Sequence, residues 1–523
     1  MSVRVLFVVA GLLALPQSVG AVALDSNPLL AKHRAFVGWT NGDGALTGWH
    51  FKATRTATRK NADGTTASVL TSTLDEVRRG ALYRDTVTRA GGLTTDAGFT
   101  GRAFWDSDEN GNTVSHFENL VKYDISENAI FDDAVSTLNG ATRGTAKIGE
   151  DTVDVVRVIP SIGPALGFPV DLYVDASGAY RRAVVNPESS GRTTINIDKY
   201  IDALPGKKII GTFHIGTGRA FEVQSVEANI AVSDDELHPP RPRTSWTFDA
   251  SDSVPIEIRL HTSPYGSSGR SVTLHASING HDGTFLLDSG ASGSLLFSPY
   301  ADTLGLTPIA SNEYSGVNGV AVRSSYVRIK DLAIGRNVLH DVVVDKSEGK
   351  SFEGIDGILG YDVLANALVE VDLTGKRLSI HDPAVFLPSV EKGAVAFPVD
   401  LGSRQPAVHI TVSNGIDMKP IFDTGDDFLV LLSDDLSSRL APAITSQVYF
   451  GGVDGTAPLP APCAKIMQLL VGPYRYENST VCFAPSRVFG SDGGLIGFDF
   501  LQHFNWTFDY PDGKLVLTPN GVK

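Results

Sequence analysis

Cysteine is the scarcest structural device in this sequence. The 523-residue chain holds two, Cys463 and Cys482, which excludes a thiolate zinc cluster and a dense disulfide scaffold. Positive charge is also in short supply. Lys plus Arg number 44 against 59 for Asp plus Glu, a formal charge of −15, and no local basic patch stands out. Such a surface repels phosphate backbones, so nucleic acid is not expected as a partner. Beyond the N-terminus no stretch approaches about 18 consecutive apolar residues, so no membrane span is expected. The histidines are dispersed and no His-Glu-x-x-His occurs, so no metal or other cofactor is expected. A Gly-x-x-x-x-Gly-Lys phosphate loop and a Gly-x-Ser-x-Gly around a plausible serine are also missing. What remains is ordinary globular material, 42% hydrophobic and 20% charged, which rules out a disordered or fibrous chain. At about 150 residues per domain the length suggests about three domains. The 53 glycines suit a turn-rich β protein.

Residues 1–23 read as a secretory signal. Arg4 supplies the positive start, Val5 to Leu15 is an apolar run too short to cross a bilayer, and small residues at Val19-Gly20-Ala21 or Ala21-Val22-Ala23 offer cleavage sites. The competing reading is a buried N-terminal strand. No cysteine follows the run, so lipid attachment of the bacterial lipoprotein kind is excluded. The expectation is an exported protein, periplasmic or secreted. In an oxidising compartment Cys463 and Cys482 would form one disulfide, closing a loop of about 20 residues and worth about 3 kcal/mol. The alternative is a pair of reduced, buried thiols.

Residues 24–237 show mostly period-2 alternation broken by turn signals and read as an antiparallel β domain. Asn61-Ala62-Asp63-Gly64, Asp108 to Asn112 and Asp175-Ala176-Ser177-Gly178 mark hairpins. One helix is expected, within Glu118 to Leu138. By hairpin style and order this part resembles the curved-sheet domains of periplasmic lipoprotein carriers. It has no His, Asp or Glu cluster at ligand spacing, and its role is open between pro-segment, substrate presentation and targeting. Residues 238–251 follow, beginning His238-Pro239-Pro240-Arg241-Pro242-Arg243, and read as a stiff extended linker.

From about Asp252 onward the chain repeats itself with an offset of about 135 residues. Phe285-Leu286-Leu287-Asp288-Ser289-Gly290 matches Pro420-Ile421-Phe422-Asp423-Thr424-Gly425. Tyr314 to Gly319 matches Tyr449 to Gly455, and Ile334-Gly335 matches Val471-Gly472. Gly357-Ile358-Leu359-Gly360-Tyr361-Asp362 matches Gly494-Leu495-Ile496-Gly497-Phe498-Asp499. Val371-Asp372 with Gly375-Lys376 then matches Phe508-Asp509 with Gly513-Lys514. Five features in one order mark a duplication, with one copy over 252–388 and the other over 389–523. The two β lobes are expected to pack face to face.

A lone Asp-Ser/Thr-Gly is a weak signal, since Asp readily caps a turn. Two at matched places in a duplication, each followed by an apolar-apolar-Gly, are specific. On these motifs the stretch from Asp252 to Lys523, roughly half the chain, resembles the pepsin/retropepsin class of aspartic proteases in its fused two-lobe form. The resemblance implies a mainly β, two-lobed aspartic-protease β-barrel fold behind the antiparallel β domain. It makes Asp288 and Asp423 the catalytic pair, with Ser289, Gly290, Thr424 and Gly425 as supports of the catalytic loops. It implies a peptide or protein substrate, cleaved as by an aspartic endopeptidase, and, with both lobes in one chain, a protein monomeric at the active site.

The chemistry follows from the residue types. Gly290 and Gly425 permit a tight turn and the close approach of the other lobe. The hydroxyls of Ser289 and Thr424 can bond across the pseudo-twofold axis, a grip the resemblance also implies. Two carboxyls brought within a few ångströms cannot both ionise cheaply, so they share a proton. One member then activates a water and the other bonds the substrate carbonyl. A flap is expected at Tyr314, Gly316 and Gly319, with an ordinary surface hairpin as the alternative. One departure stands out: Ala291 after the first triplet is small, whereas Asp426 and Asp427 follow the second. The other function considered is an inactive, peptide-binding form of the same fold, with Asp426 as a sign of decay.

Overall fold

The computed structural model describes residues 27–521, apart from 61–65, 117–118, 132–139, 163–164, 190, 217, 263–267, 316–320, 350, 387–392, 427–429, 453–457 and 490–491. The expected signal segment, the Asn61–Gly64 loop tip and the flap glycines Gly316 and Gly319 therefore lie outside the described residues. The protein is mainly β. It divides into two compact units, one of residues 1–85, 98–104 and 117–238, the other of residues 86–97, 105–116 and 239–523.

The first unit is an antiparallel run of strands. In spatial order these are Thr66–Arg79, Trp49–Lys60, Arg219–Ala228, Lys207–Ile215, Thr193–Leu204, Tyr180–Val185, Val170–Val174, Asp151–Val158 and Ala141–Ile148. Hairpin order prevails because most connections are short turns. At the Asp175 turn, Gly178 N donates to the Asp175 carbonyl at 3.0 Å. Alternate strand residues Val156, Val158, Val170, Leu172, Val174, Val185, Ile195 and Ile197 face one core. Among the described residues three helices occur where one was expected, one of them the short Asp234–Leu237. Asn119–Phe131 falls within the anticipated window. Pro28–Val37 was not anticipated, although Asn27 accepts from Leu29 N and Pro28 occupies the first turn, an N-terminal signature legible in the sequence.

The second unit holds both copies of the repeat. Much of the first copy forms a sheet ordered Ala310–Ser315, Ala321–Ile334, Asn337–Ser347, Leu295–Phe297, Gly357–Leu359, His281–Leu287, Ser268–Ile278 and Val254–Thr262. The sheet continues through Arg377–His381 and Leu368–Asp372 into Phe504–Asp509, Lys514–Pro519 and Val395–Pro398 of the second copy. Val369 pairs with Phe508 and Val371 with Trp506 across that junction. The rest of the second copy forms its own sheet, from Ile416–Met418 and Ile410–Val412 through Leu459–Val471, Tyr474–Ala484, Leu431–Ser433 and Gly494–Ile496 to Ile421–Phe422. One apolar cluster runs through both copies, from Phe285, Val327 and Leu359 to Phe422, Phe483 and Trp506. The copies thus share a floor and a core instead of resting on separate ones. Burial at this scale is the main stabilising contribution, at about 25 cal/mol per Å² of apolar surface.

The proline-dense stretch after His238 is tied down within this unit. Arg243 N donates to the Asn110 carbonyl at 2.7 Å, and its guanidinium reaches buried Asp96 at 2.9 Å. Cys463 and Cys482 are bonded. They face each other across the paired strands Leu459–Val471 and Tyr474–Ala484, so the bridge joins two neighbouring strands and closes a loop across 19 positions, close to the length expected. Both side chains are buried among Leu431, Phe450 and Leu495. Replacing both cysteines by serine is expected to lower the free energy of unfolding by about 2–4 kcal/mol. Urea denaturation reads this directly, and an unchanged midpoint would show the bridge to be dispensable.

Candidate active site

The local sequence dictates each loop. Phe285-Leu286-Leu287 is an apolar strand end pairing in parallel with Gly357-Ile358-Leu359. Ile421-Phe422 pairs in the same way with Leu495-Ile496. Each strand then stops at an Asp whose backbone N–H is taken by the strand beneath, Asp288 N by Leu359 O and Asp423 N by Ile496 O, both at 3.0 Å. The chain turns at once. Gly290 N donates to Asp288 Oδ1 and Gly425 N to Asp423 Oδ1, each at 2.8 Å. The apolar-apolar-Gly segments therefore run beside the strands that end in the two acids.

The loops are locked by exchange of hydroxyls. Thr424 Oγ1 donates to Leu287 O at 2.8 Å and accepts from Ser289 N at 3.0 Å. Ser289 Oγ donates to Phe422 O at 2.7 Å and accepts from Thr424 N at 3.1 Å. Both side chains are 1% exposed, so no water competes for these four bonds. The glycines make the approach possible. A Cβ on Gly290 would lie 2.3 Å from the Asp423 carboxyl carbon, and one on Gly425 would lie 2.7 Å from that of Asp288. Each acid thus sits over the other loop's glycine.

Asp288 and Asp423 both keep an edge open to solvent. Protein crowds Asp288 on its other sides. Burial, and then the neighbouring Asp423 carboxyl, push its proton affinity well above the ordinary carboxylate range. Two such groups hold one proton at a pH where isolated aspartates would hold none. Tyr510, buried close by, feels the pair. Burial first, then Tyr361, Asp288 and Asp423, push its hydroxyl pKa up.

Of the other anticipated residues, Tyr314 lies on the hairpin of Ala310–Ser315 and Ala321–Ile334, where its hydroxyl bonds Ser347 Oγ at 2.6 Å. It packs with Leu286, Leu295, Phe297 and Ile358, next to the Asp288 strand. Asp426 takes the backbone role of Ala291. Its carbonyl accepts from Phe498 N at 2.7 Å, as the Ala291 carbonyl accepts from Tyr361 N at 3.1 Å. Asp427 lies outside the described residues. Among the described residues no group of three or more His, Cys, Asp or Glu could hold a metal.

Three contributors escaped the sequence reading. Ser294 Oγ accepts from Gly360 N at 3.1 Å, fixing the strand under Asp288. Gln405 donates its side-chain amide to the Gly290 carbonyl. Asp362 accepts from Ser294 N at 2.5 Å and from Asn110 Nδ2 at 2.7 Å. Burial, and then Asp108, push the Asp362 pKa up to about 7. Only Asp362 carried a signal, as the acid matched by Asp499 in the repeat.

Comparison with known proteins bears on the first copy. Residues 274–363 match the aspartyl protease family model. That match contains Asp288-Ser289-Gly290 and the Gly357–Asp362 segment, so this small part of the chain is aspartic-protease-like. No curated protein matches the sequence. Among solved structures, a DUF1329 family protein from Desulfovibrio piger aligns over 40% of this chain and 98% of its own, at 8% identity and a TM-score of 0.30, too low to carry an argument.

Thr424→Val keeps the shape but removes the donor to Leu287 O and the acceptor of Ser289 N. It is expected to cost about 1–3 kcal/mol per orphaned group. A surface Thr→Val control in the same denaturation series should lose almost nothing, and equal losses would sink the claim. Asp362 makes a pH prediction. Its folded-state affinity is raised, so its stabilisation is full at acid pH and is lost as pH rises through about 7. Thermal melts from about pH 5 to about pH 8 should therefore fall more steeply for the wild type than for Asp362→Asn. Parallel curves would contradict it.

Proposed function

We propose that the chain is an exported aspartic endopeptidase whose two repeat copies form the two lobes of one catalytic unit. The observation that supports this reading most is the reciprocal exchange between Ser289 and Thr424, with each carboxyl set over the other loop's glycine. In the proposed cycle, Asp288 and Asp423 share one proton and hold a water between them. The ionised member takes a proton from that water as it attacks the scissile carbonyl, and the protonated member donates to the carbonyl oxygen. Collapse of the tetrahedral intermediate returns a proton to the leaving amine, and no acyl-enzyme forms. Tyr314 is proposed to lie on the flap over the substrate. Export is inferred from the Arg4 and Val5–Leu15 pattern, and it agrees with the Cys463–Cys482 bond, since such bonds persist in oxidising compartments.

Purified mature protein is expected to cleave members of a mixed peptide library, and Asp288→Asn or Asp423→Asn to reduce turnover about a thousandfold or more. A statine-type analogue should block the wild type. Turnover that survives Asp288→Asn would overturn the pair. Peptide binding without turnover at any pH would favour the inactive, peptide-binding reading. The raised affinity of Asp288 sets the sign of the pH dependence: activity needs the shared proton and falls as pH rises through that affinity. A rate that climbs steadily towards alkaline pH would contradict the mechanism.

A further inference from the structure

The second unit includes residues 105–116, more than a hundred positions before the repeat begins. Within them Phe104–Ser107 pairs with Thr113–His116 around the Asp108–Asn112 turn. The turn is internally braced: Asp108 Oδ1 accepts from Asn110 N at 2.9 Å and from Asn112 N at 2.8 Å. It reaches both copies of the repeat. On the first copy, Asn110 acts like an inserted peptide group, donating to Val343 O at 2.9 Å and to Asp362, and accepting from Val343 N at 2.8 Å. Asn366 bonds the Asn112 amide oxygen. On the second copy, Asp106 pairs with the Arg404 guanidinium, and Asp108 lies 3.9 Å from Arg404 Nε. Burial opposes ionisation of Asp106, and the bonds from His116 and Arg404 outweigh it, holding its pKa below the usual value.

Arg404 occupies a turn that leads directly to the two acids. It is not a glycine, yet its φ is 62°, a conformation that persists when surrounding contacts impose it. Its neighbour Gln405 donates to Gly290 O in the first catalytic loop. Pro406 O accepts from Phe422 N at 3.0 Å, at the entrance to the second. Two residues after Arg404, therefore, the chain has touched both loops.

We propose that residues 105–116 position the active site: by clamping Arg404 they set Gln405 against the Gly290 carbonyl and so align the Asp288 loop with the Asp423 loop. This rests on the reading of Asp288 and Asp423 as the catalytic pair. Asp106, Arg404 and Gln405 are positioning residues, since they act on the acids through Gly290. The first half of the chain then contributes to catalysis through this hairpin, whatever else its β domain does.

The test uses the full-length mature protein with Gln405→Met, Arg404→Ala, Arg404→Lys, Asp106→Ala and the double variant Arg404→Ala/Gln405→Met. Turnover of a cleaved peptide is expected to drop about tenfold in Gln405→Met and Arg404→Ala, with KM within about twofold, since alignment of the reacting groups is lost and not substrate contact. The double variant should be no worse than Gln405→Met alone, because both changes break one chain of contacts. Arg404→Lys should recover part of the loss. Gln405→Met conserves volume and deletes only the amide, so it keeps the test open if other variants fail to fold. Amide hydrogen exchange over Leu286–Ala291 gives a readout independent of activity, expected to quicken in Gln405→Met without a change in melting temperature, and to quicken in Arg404→Ala as well. Unaltered exchange and kcat in folded variants, or penalties that add, would overturn the positioning role. If the wild type cleaves no peptide, the endopeptidase reading fails, and the exchange measurement still judges the hairpin.

Discussion

The exchange between Ser289 and Thr424 is the constraint on which the rest of the site depends. Each hydroxyl donates to a carbonyl of the opposite strand and accepts an amide N–H of the opposite loop. In a dry setting such groups cost about 1–3 kcal/mol each when unpaired, so neither loop keeps its shape without the other. That mutual requirement brings the backbones close enough for a carboxyl to rest over the partner glycine. It also leaves two acids side by side with restricted solvent, which raises the proton affinity of Asp288. Geometry, closeness and protonation are three consequences of one set of hydrogen bonds.

The two copies of the sequence repeat match in pattern and differ in setting. The matched acids Asp362 and Asp499 show how. Asp499 is exposed near Gln502, while Asp362 is buried, bonded to Ser294 and to Asn110. A buried carboxyl is tolerated where donors surround it, and the donor here comes from a hairpin early in the chain. The residues after the two triplets differ too, yet Ala291 and Asp426 offer the same carbonyl to the same kind of partner. The backbone pattern of the loop is kept even where the side chain has changed from methyl to carboxylate.

Much of this was legible before any coordinates. The strand-Asp-hydroxyl-Gly order and the later apolar-apolar-Gly are local patterns, and the spacing between copies requires nothing beyond counting. The pairing of Asp288 with Asp423, the roles of the four loop residues and the cysteine partnership could therefore be read as expectations. Turn chemistry at Asp108 and Asp175 was equally local, since Asp side chains cap their own backbone. The helix at Pro28 escaped because alternation dominated the neighbouring strands, although its Asn-Pro start was present. Ser294, Gln405 and Tyr510 escaped for a different reason. Serine, glutamine and tyrosine are common, and nothing in their neighbours marks them until the chain has folded around them.

The sequence by itself determined the two acid-bearing loops and the duplication that matches them, because both are short-range facts about residue order. Tertiary structure alone decided that the copies share a sheet and one core, since which strand ends meet depends on burial summed over the whole unit. It alone decided that residues 86–97 and 105–116 join a unit whose remainder begins at Pro239. Asn110 and Asp106 lie hundreds of positions from their partners Asp362 and Arg404, and only a packed interior, where each buried polar group must find a partner, brings them together.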